Sequence, residues 1–95
     1  MPQKLDEAQL IAAVAALPIW KLEHGELTRS ITFADFNEAI TFVNRVAILA
    51  EEVGHHPDID IRYNRVRLAL ITHDVGGITN SDINLAQKIE KELSK

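Results

Sequence analysis

Apolar residues recur at helical spacing near both ends of the sequence. The first helix is predicted from Asp6 to Leu17, because Asp6 and Gln9 form a capping pair and Pro18 ends the apolar run. Near the other end, residues 79–82 read Thr-Asn-Ser-Asp, a capping box that opens a final helix. The apolar residues of that helix share one face: Ile83, Ala86, Ile89 and Leu93.

A longer and more apolar helix is predicted between residues 35 and 53. Two apolar stripes run side by side along it, which makes a wider apolar face than one sheet surface requires. The members of the stripes are Phe36, Ile40, Val43, Ala47 and Ala50, and Ala39, Phe42, Val46, Leu49 and Val53. We therefore expect this helix to pack both on a sheet and on a second subunit. Gly54 suits a left-handed helix end and Pro57 keeps His56 out of helical dihedrals, so the helix should end just before His55.

Alternation of apolar and polar residues predicts two β-hairpins. The first has strands near residues 19–23 and 27–33, joined at His24-Gly25, and the second runs from Asp58 to near His73 with Asn64 as its turn residue. The element order is then α-β-β-α-β-β-α. This order indicates an α+β fold of two layers, in which a four-stranded antiparallel sheet carries three helices on one face. A chain of this length is expected to form a single domain over residues 1–95.

Composition and charge narrow the class of protein. The 95-residue chain is 46% apolar and 25% charged, as in ordinary globular domains. Its net charge of −4, without any five-residue run of like charge, does not favour binding to a nucleic-acid backbone. The absence of cysteine favours a reducing compartment, and the sequence shows neither a signal peptide nor a membrane span. We expect a cytoplasmic protein that binds neither nucleic acid nor membrane.

Three histidines lie where predicted elements end, which is where rigid scaffolds present functional groups. His55 and His56 follow the long helix, and His73 ends a strand. Glu51 lies near the negative end of the helix dipole, where a carboxylate is unfavourable and therefore suggests another role, such as a hydrogen bond to an imidazole. The simpler interpretation treats these histidines as polar loop residues, like the histidine of the first hairpin turn.

Three histidines and a carboxylate also raise a zinc site as an alternative. The spacing argues against zinc, since the sequence has no His-Glu-x-x-His motif and the side chains of adjacent histidines rarely converge on one ion. A nucleophilic triad has less support, because the chain has no cysteine and no Gly-x-Ser-x-Gly turn. We expect neither a metal nor another cofactor.

Several short segments of the sequence, two of which contain the three histidines, together form a pattern characteristic of a protein family. Residues 51–57 read Glu-Glu-Val-Gly-His-His-Pro, residues 63–66 read Tyr-Asn-Arg-Val, and residues 70–73 read Leu-Ile-Thr-His, followed by matching stretches at 77–79 and 82–86. This pattern resembles the signature of the pterin-4a-carbinolamine dehydratase family. The resemblance extends to Trp20 and to residues 33–36 and covers nearly the whole chain. Its most specific part is the His-His-Pro sequence with a downstream Thr-His.

The resemblance implies catalytic roles for His55, His56 and His73. The residues that it places near the substrate are Glu51, Pro57, Thr72, Asp74, Asp82 and Trp20. Asp74 stands where many relatives have glutamate. Asp82 is also explained by helix capping alone, and Trp20 by a place in the core.

The implied activity is dehydration of 4a-hydroxytetrahydropterin to quinonoid dihydropterin, as in tetrahydrobiopterin recycling. Imidazoles can deliver one proton to the departing hydroxyl group and remove another from N5 of the pterin. His55 and His73 are expected to supply the acid and the base, without a fixed order between them, and His56 is expected to bind the substrate or share the proton transfer.

The resemblance also implies partners and an alternative function. A homodimer or homotetramer is expected, with a functional link to an aromatic amino acid hydroxylase. Relatives also act as dimerisation partners of a transcription factor or as assembly proteins. The alternative is therefore a non-catalytic scaffold, similar to a transcriptional coactivator, with a vestigial pterin site.

Overall fold

The computed structural model describes residues 3–94, and its helices and strands follow the predicted order. A short 3-10 helix, which was not predicted, lies between the last strand and the last helix. The elements are α1 (Glu7–Ala15), β1 (Lys21–Glu23), β2 (Glu26–Thr32), α2 (Phe36–Val53), β3 (Asp58–Arg62), β4 (Arg65–Leu70), the 3-10 helix (His73–Val75) and α3 (Asn80–Leu93). The predicted α+β class is confirmed. The ends of the predicted single domain, residues 1, 2 and 95, lie outside the described residues.

The four strands form one antiparallel sheet in the order β1-β2-β4-β3. Each hairpin contributes one central strand, and the two central strands pair over six residues, from Leu27 opposite Leu70 to Thr32 opposite Arg65. β1 and β3 are therefore the edges of the sheet. The end of β4, which leads to the Thr72-His73 segment, lies beside the start of β2.

One face of the sheet carries the core. On β4, Val66 and Leu68 are buried while Arg65 and Arg67 are exposed, so alternate side chains point to the helices and to solvent. α2 buries parts of both predicted stripes, and α3 buries most of its predicted apolar face. The buried residues of the two helices include Ala39, Phe42, Val46, Ala50, Ile83, Leu85, Ala86 and Ile89.

Helix ends follow the local chemistry of the sequence. Asp6 and Gln9 form the predicted capping box of α1, and Thr79 and Asp82 form that of α3. Gly54 ends α2 with a φ of 67°, in the left-handed region that a glycine adopts at low cost. The chain therefore leaves α2 immediately before the histidine pair, as predicted.

The second hairpin differs from the prediction at its turn. Tyr63, predicted to continue the alternation of β3, instead adopts a φ of 53° in the turn. Asn64 holds this turn against Phe33 through two hydrogen bonds. Its side-chain amide donates to the backbone carbonyl oxygen of Phe33 at 2.8 Å, and its backbone carbonyl oxygen accepts from the backbone N–H of Phe33. The regular pairing of β4 also ends at Leu70, before the predicted end near His73, because Thr72 instead bridges Gly77 and the 3-10 helix begins at His73.

Apolar surface stays uncovered on the single chain. Phe36 and Ile48 of α2 are 51% and 60% exposed, and every residue of the edge strand β3 is exposed. No helix among the described residues is both long and apolar enough to cross a membrane. Part of the apolar surface of α2 therefore has no cover within one chain.

Candidate active site

His55 and Asp82 form the centre of the site. Gly54 turns the chain out of α2, and the side chain of His55 then reaches the first turn of α3. His55 Nε2 lies 2.5 Å from Asp82 Oδ1. The Asp82 side chain is completely buried, and the His55 side chain is 16% exposed. A buried carboxylate thus holds an imidazole that still has access to solvent.

The second oxygen of Asp82 caps α3. Asp82 Oδ2 accepts from the backbone N–H of Thr79 at 2.9 Å and from the hydroxyl group of Thr72 at 2.8 Å. Capping and a role in the site are therefore not alternatives for Asp82. One oxygen satisfies the helix end while the other faces His55, and the buried charge has partners on both sides.

The direction of each hydrogen bond in this network follows from the groups involved. An ionised carboxylate only accepts, so the Thr72 hydroxyl must donate to Asp82. The Thr79 hydroxyl, 2.8 Å from that of Thr72, must then donate to it, while accepting from the Ser81 N–H at 3.2 Å. By the same rule His55 Nε2 carries a proton toward Asp82. In the neutral imidazole, Nδ1 is then the unprotonated nitrogen and points away from the carboxylate.

His56 and Glu51 form a separate, exposed pair. His56 Nε2 lies 2.5 Å from Glu51 Oε2, and the two side chains are 61% and 77% exposed. Glu51 therefore does bind an imidazole, as its position at the end of α2 suggested. Exposed pairs of this kind contribute little to stability, so this contact orients His56 rather than holding the fold together.

His73 and Asp74 begin the 3-10 helix directly after Thr72, at the rim of the network. Both are exposed, and within residues 3–94 neither side chain makes a hydrogen bond. An isolated bridge between Thr72 and Gly77 fixes the loop that carries them. The histidine is thus held one residue from the Asp82 network with its ring free to meet a ligand.

The remaining predicted substrate contacts are placed differently. Pro57 is half-buried and leads from His56 into β3. Trp20 is 2% exposed, and its indole N–H donates to Glu90 of α3 at 2.8 Å. The structure places Trp20 in the core and not in the histidine network, and its contact with substrate stays a prediction.

A cavity of about 400 Å³ opens beside His55. It lies between the end of α2 and the exposed side of α3. Its lining consists of Val53, His55, Ser81, Asn84, Gln87, Lys88 and Lys91. Its volume falls in the range of small-molecule sites. The resemblance did not indicate the lining residues on α3, although their helical spacing on a wholly polar face was visible in the sequence.

Thr79 was also missed as a residue of the site. The sequence identified it as the first residue of a capping box and as the end of a matching stretch, but its hydroxyl contact to Thr72 joins two ends of a loop that the Thr72–Gly77 bridge closes. Within residues 3–94, no group of three or more histidine, cysteine or acidic side chains is arranged to hold a metal ion. The geometry therefore does not support the zinc alternative.

The chain is similar to known proteins in both sequence and fold. A family model for pterin 4 alpha carbinolamine dehydratase matches residues 3–92. A protein of Chloroflexus aurantiacus, named provisionally as a pterin-4-alpha-carbinolamine dehydratase, is 54% identical over 88 residues, which cover 93% of this chain and 95% of the relative. A protein of Acidobacterium capsulatum with the same provisional name is 60% identical over 80 residues, covering 84% and 87% of the two chains.

Solved structures show the same fold. A Brucella melitensis protein described as a transcriptional coactivator/pterin dehydratase is 36% identical and superposes with a TM-score of 0.89 over 94% of this chain and 97% of its own. A pterin dehydratase-like protein described as a RuBisCO assembly factor of the alpha-carboxysome is 19% identical, with a TM-score of 0.63 over 76% and 83% of the two chains, and so shows the fold alone. The match of a family model to nearly the whole sequence and these close relatives establish that the chain belongs to the pterin-4-alpha-carbinolamine dehydratase family.

Proposed function

We propose that the protein is a hydro-lyase that converts 4a-hydroxytetrahydropterin to quinonoid dihydropterin and water. One observation carries this proposal: a buried carboxylate, Asp82, holds the imidazole of His55 at the edge of a cavity large enough for a pterin. Membership of the family supports the choice of substrate. The role in tetrahydrobiopterin recycling is part of the same proposal.

The reaction requires two proton transfers and no change of oxidation state. The C4a–O bond breaks as the hydroxyl group takes up a proton and leaves as water. The N5–H bond breaks at the adjacent atom as a base takes the proton, and the electron pair left on N5 forms the C4a=N5 double bond. General acid and base groups with suitable geometry supply this chemistry without a metal or a redox cofactor, and the proposal includes neither.

His55 is assigned the role of the base. Its Nε2 proton is directed to Asp82, so Nδ1 of the neutral ring is the nitrogen that can accept the proton from N5. The imidazolium that forms lies against the Asp82 carboxylate, which stabilises the new positive charge. Asp82 is a positioning residue in this scheme because it acts through His55.

His73 and His56 are assigned to the leaving group. Both are exposed beside the network, and neither is committed to a buried partner. His73, with its ring unbound, is proposed as the acid that protonates the departing hydroxyl. His56, oriented by Glu51, is proposed to bind the substrate or to share that proton transfer. Asp74, exposed beside His73, is proposed to supply a polar contact to the substrate, and Thr72 is proposed to act near the substrate through its hydrogen bond to Asp82.

An assay of single variants tests this assignment. Loss of an enzymatically generated 4a-hydroxypterin is followed by absorbance, and replacement of His55, His56 or His73 by alanine should lower turnover by about 10²–10⁴-fold. His24→Ala is the matched control, since His24 lies in an exposed hairpin turn. Circular dichroism melting separates loss of chemistry from loss of fold. Equal turnover in all four variants would remove the histidine mechanism.

A binding scaffold is the second candidate. It is favoured by the exposed apolar residues of α2 and by the solved relative described as a transcriptional coactivator/pterin dehydratase. A scaffold has no need for a buried carboxylate that fixes the tautomer of a histidine, so the enzyme is the better supported function. Absence of dehydration by the unmodified protein would favour the scaffold.

The cellular setting is a further part of the proposal. The protein is expected to act in the cytoplasm as a homodimer or homotetramer. A hydroxylase of aromatic amino acids would supply the 4a-hydroxypterin. The exposed apolar residues of α2 and the exposed edge strand β3 support self-association.

A further inference from the structure

Two lysines lie in the cavity that begins at His55. Lys88 and Lys91 are exposed, and each is one of its lining residues. The other α3 residues in the lining are polar: Ser81, Asn84 and Gln87. Their spacing of three or four residues makes them, with the lysines, one continuous side of the helix. This side of α3, from Ser81 to Lys91, is termed the lysine face.

The charge of the lysine face is opposite to that of the protein as a whole. The chain has a net charge of −4, yet the cavity lining contains two lysines and no carboxylate. Each acidic residue of α3 pairs with a cationic or imidazole side chain: Asp82 with His55, Glu90 with Arg29, and Glu92 with Arg45. The ion pairs within residues 3–94 include neither lysine. The cavity therefore offers two positive charges to a ligand.

Helix geometry favours lysine side chains that lean toward the histidine. Side chains on an α-helix tilt toward its N-terminus, and the N-terminus of α3 is the end that contacts His55. Lys88 and Lys91 follow Asp82 by six and nine residues. At about 1.5 Å per residue, they are about 9 Å and about 13.5 Å from it along the helix axis. A ring that contacts His55 would therefore direct a substituent along the lysine face.

We propose that the lysine face binds an anionic substituent of the pterin, so that the preferred substrates carry a phosphate or carboxylate on the side chain at C6. Lysine ammonium groups bind either anion as point charges, and the neighbouring amide and hydroxyl groups can donate to the same oxygens. This inference rests on the proposed function, because it takes the pterin ring to lie at His55. It adds the chemical class of the side chain, which the reaction itself does not specify.

Calorimetric titration with matched ligands tests the proposal. The probes are 7,8-dihydroneopterin, its monophosphate, and 7,8-dihydrofolate, whose tail carries carboxylates. We expect one or both of the anionic ligands to bind about threefold to tenfold more tightly than dihydroneopterin at low salt, as two exposed charge pairs would give. The preference should weaken at high salt, because exposed charges are screened.

Two double variants locate the effect. Lys88→Gln with Lys91→Gln should abolish the preference for the anionic ligands and leave the affinity for dihydroneopterin unchanged. Lys21→Gln with Arg65→Gln removes the same charge from exposed positions outside the cavity and should preserve the preference. Tighter binding of the monophosphate alone would identify phosphate as the anion, and tighter binding of dihydrofolate alone would identify carboxylate.

Dehydration of a neutral 4a-hydroxypterin, measured in parallel, separates the two proposals. Two outcomes would overturn the role of the lysine face alone, provided that the protein dehydrates the neutral pterin. In one, the protein shows no preference for the anionic ligands; in the other, the double variant of Lys88 and Lys91 keeps that preference. Failure to dehydrate the neutral pterin and to bind any of the three probes would overturn both proposals.

Discussion

Asp82 contacts His55 through one carboxylate oxygen and caps its own helix through the other, although the two residues are 27 positions apart in sequence. The same side chain therefore fixes the start of α3 and the tautomer of the histidine at the cavity. Substitutions at this position can separate the two roles, because the two oxygens have different partners.

Asp82→Asn should lower dehydratase turnover by about 10²-fold or more while changing stability little. The amide oxygen can still cap α3, but the amide N–H₂ then faces His55 Nε2 and forces the proton onto Nδ1. His55 would then carry its proton on Nδ1, the nitrogen that is proposed to accept the proton from N5 of the pterin. Turnover, melting by circular dichroism and ¹⁵N shifts of the imidazole measure the three effects. Asp35→Asn, at the N-cap of α2, is the matched control. Unchanged turnover in Asp82→Asn would contradict the tautomer assignment.

Thr72→Val should lower the free energy of unfolding by about 1–3 kcal/mol, because it removes a donor from a buried carboxylate. The Thr79 hydroxyl would also lose its acceptor. Urea denaturation measures the change. Thr72→Ser restores the hydroxyl and should recover most of the loss, whereas Thr32→Val, at an exposed position of β2, should cost little. A Thr72→Val variant as stable as the unmodified protein would show that Asp82 does not depend on this hydrogen bond.

Dehydratase activity should survive exhaustive treatment with EDTA. The proposed proton transfers involve only imidazole groups, whose action does not depend on a bound ion. Turnover before and after chelation, with metal content measured by mass spectrometry, checks this. Activity that disappears with the metal and returns with added zinc would revive the zinc site considered from the sequence.

The protein should be a homo-oligomer at micromolar concentration, because α2 and β3 expose apolar residues that one chain cannot cover. Light scattering gives the mass. Ile48→Glu on α2 should reduce it, whereas Ile11→Glu on α1, at a position of nearly equal exposure, should not. A strictly monomeric mass for the unmodified protein would contradict the expected association.

The sequence predicted the elements well because their signals are local. Gly54 ended α2 where a left-handed residue was needed, and the Thr79 and Asp82 pair opened α3 as a capping box. Asn64 was correctly predicted as the turn residue, but Tyr63 lies in the turn instead of continuing β3. The contact of Asn64 with Phe33 joins residues far apart in the sequence and has no local signal.

The site was predicted less completely than the fold. Residue types and the family signature identified the histidines, but the pairing of His55 with Asp82 depends on how α2 and α3 pack. The sequence also could not show which of the two histidines Glu51 binds, because both His55 and His56 lie close to the end of α2. Lys88 and Lys91 entered the site only because α3 turns its polar side toward the cavity.

The bond between Trp20 and Glu90 gives the protein an internal optical reporter. Trp20 is the only tryptophan in the chain, and its indole is buried with its N–H on α3. Undocking of α3 would expose the indole to water and shift its fluorescence emission to longer wavelength. Because α3 also carries Asp82, the emission of a single residue in the core would follow the assembly of the histidine network at the opposite end of the helix.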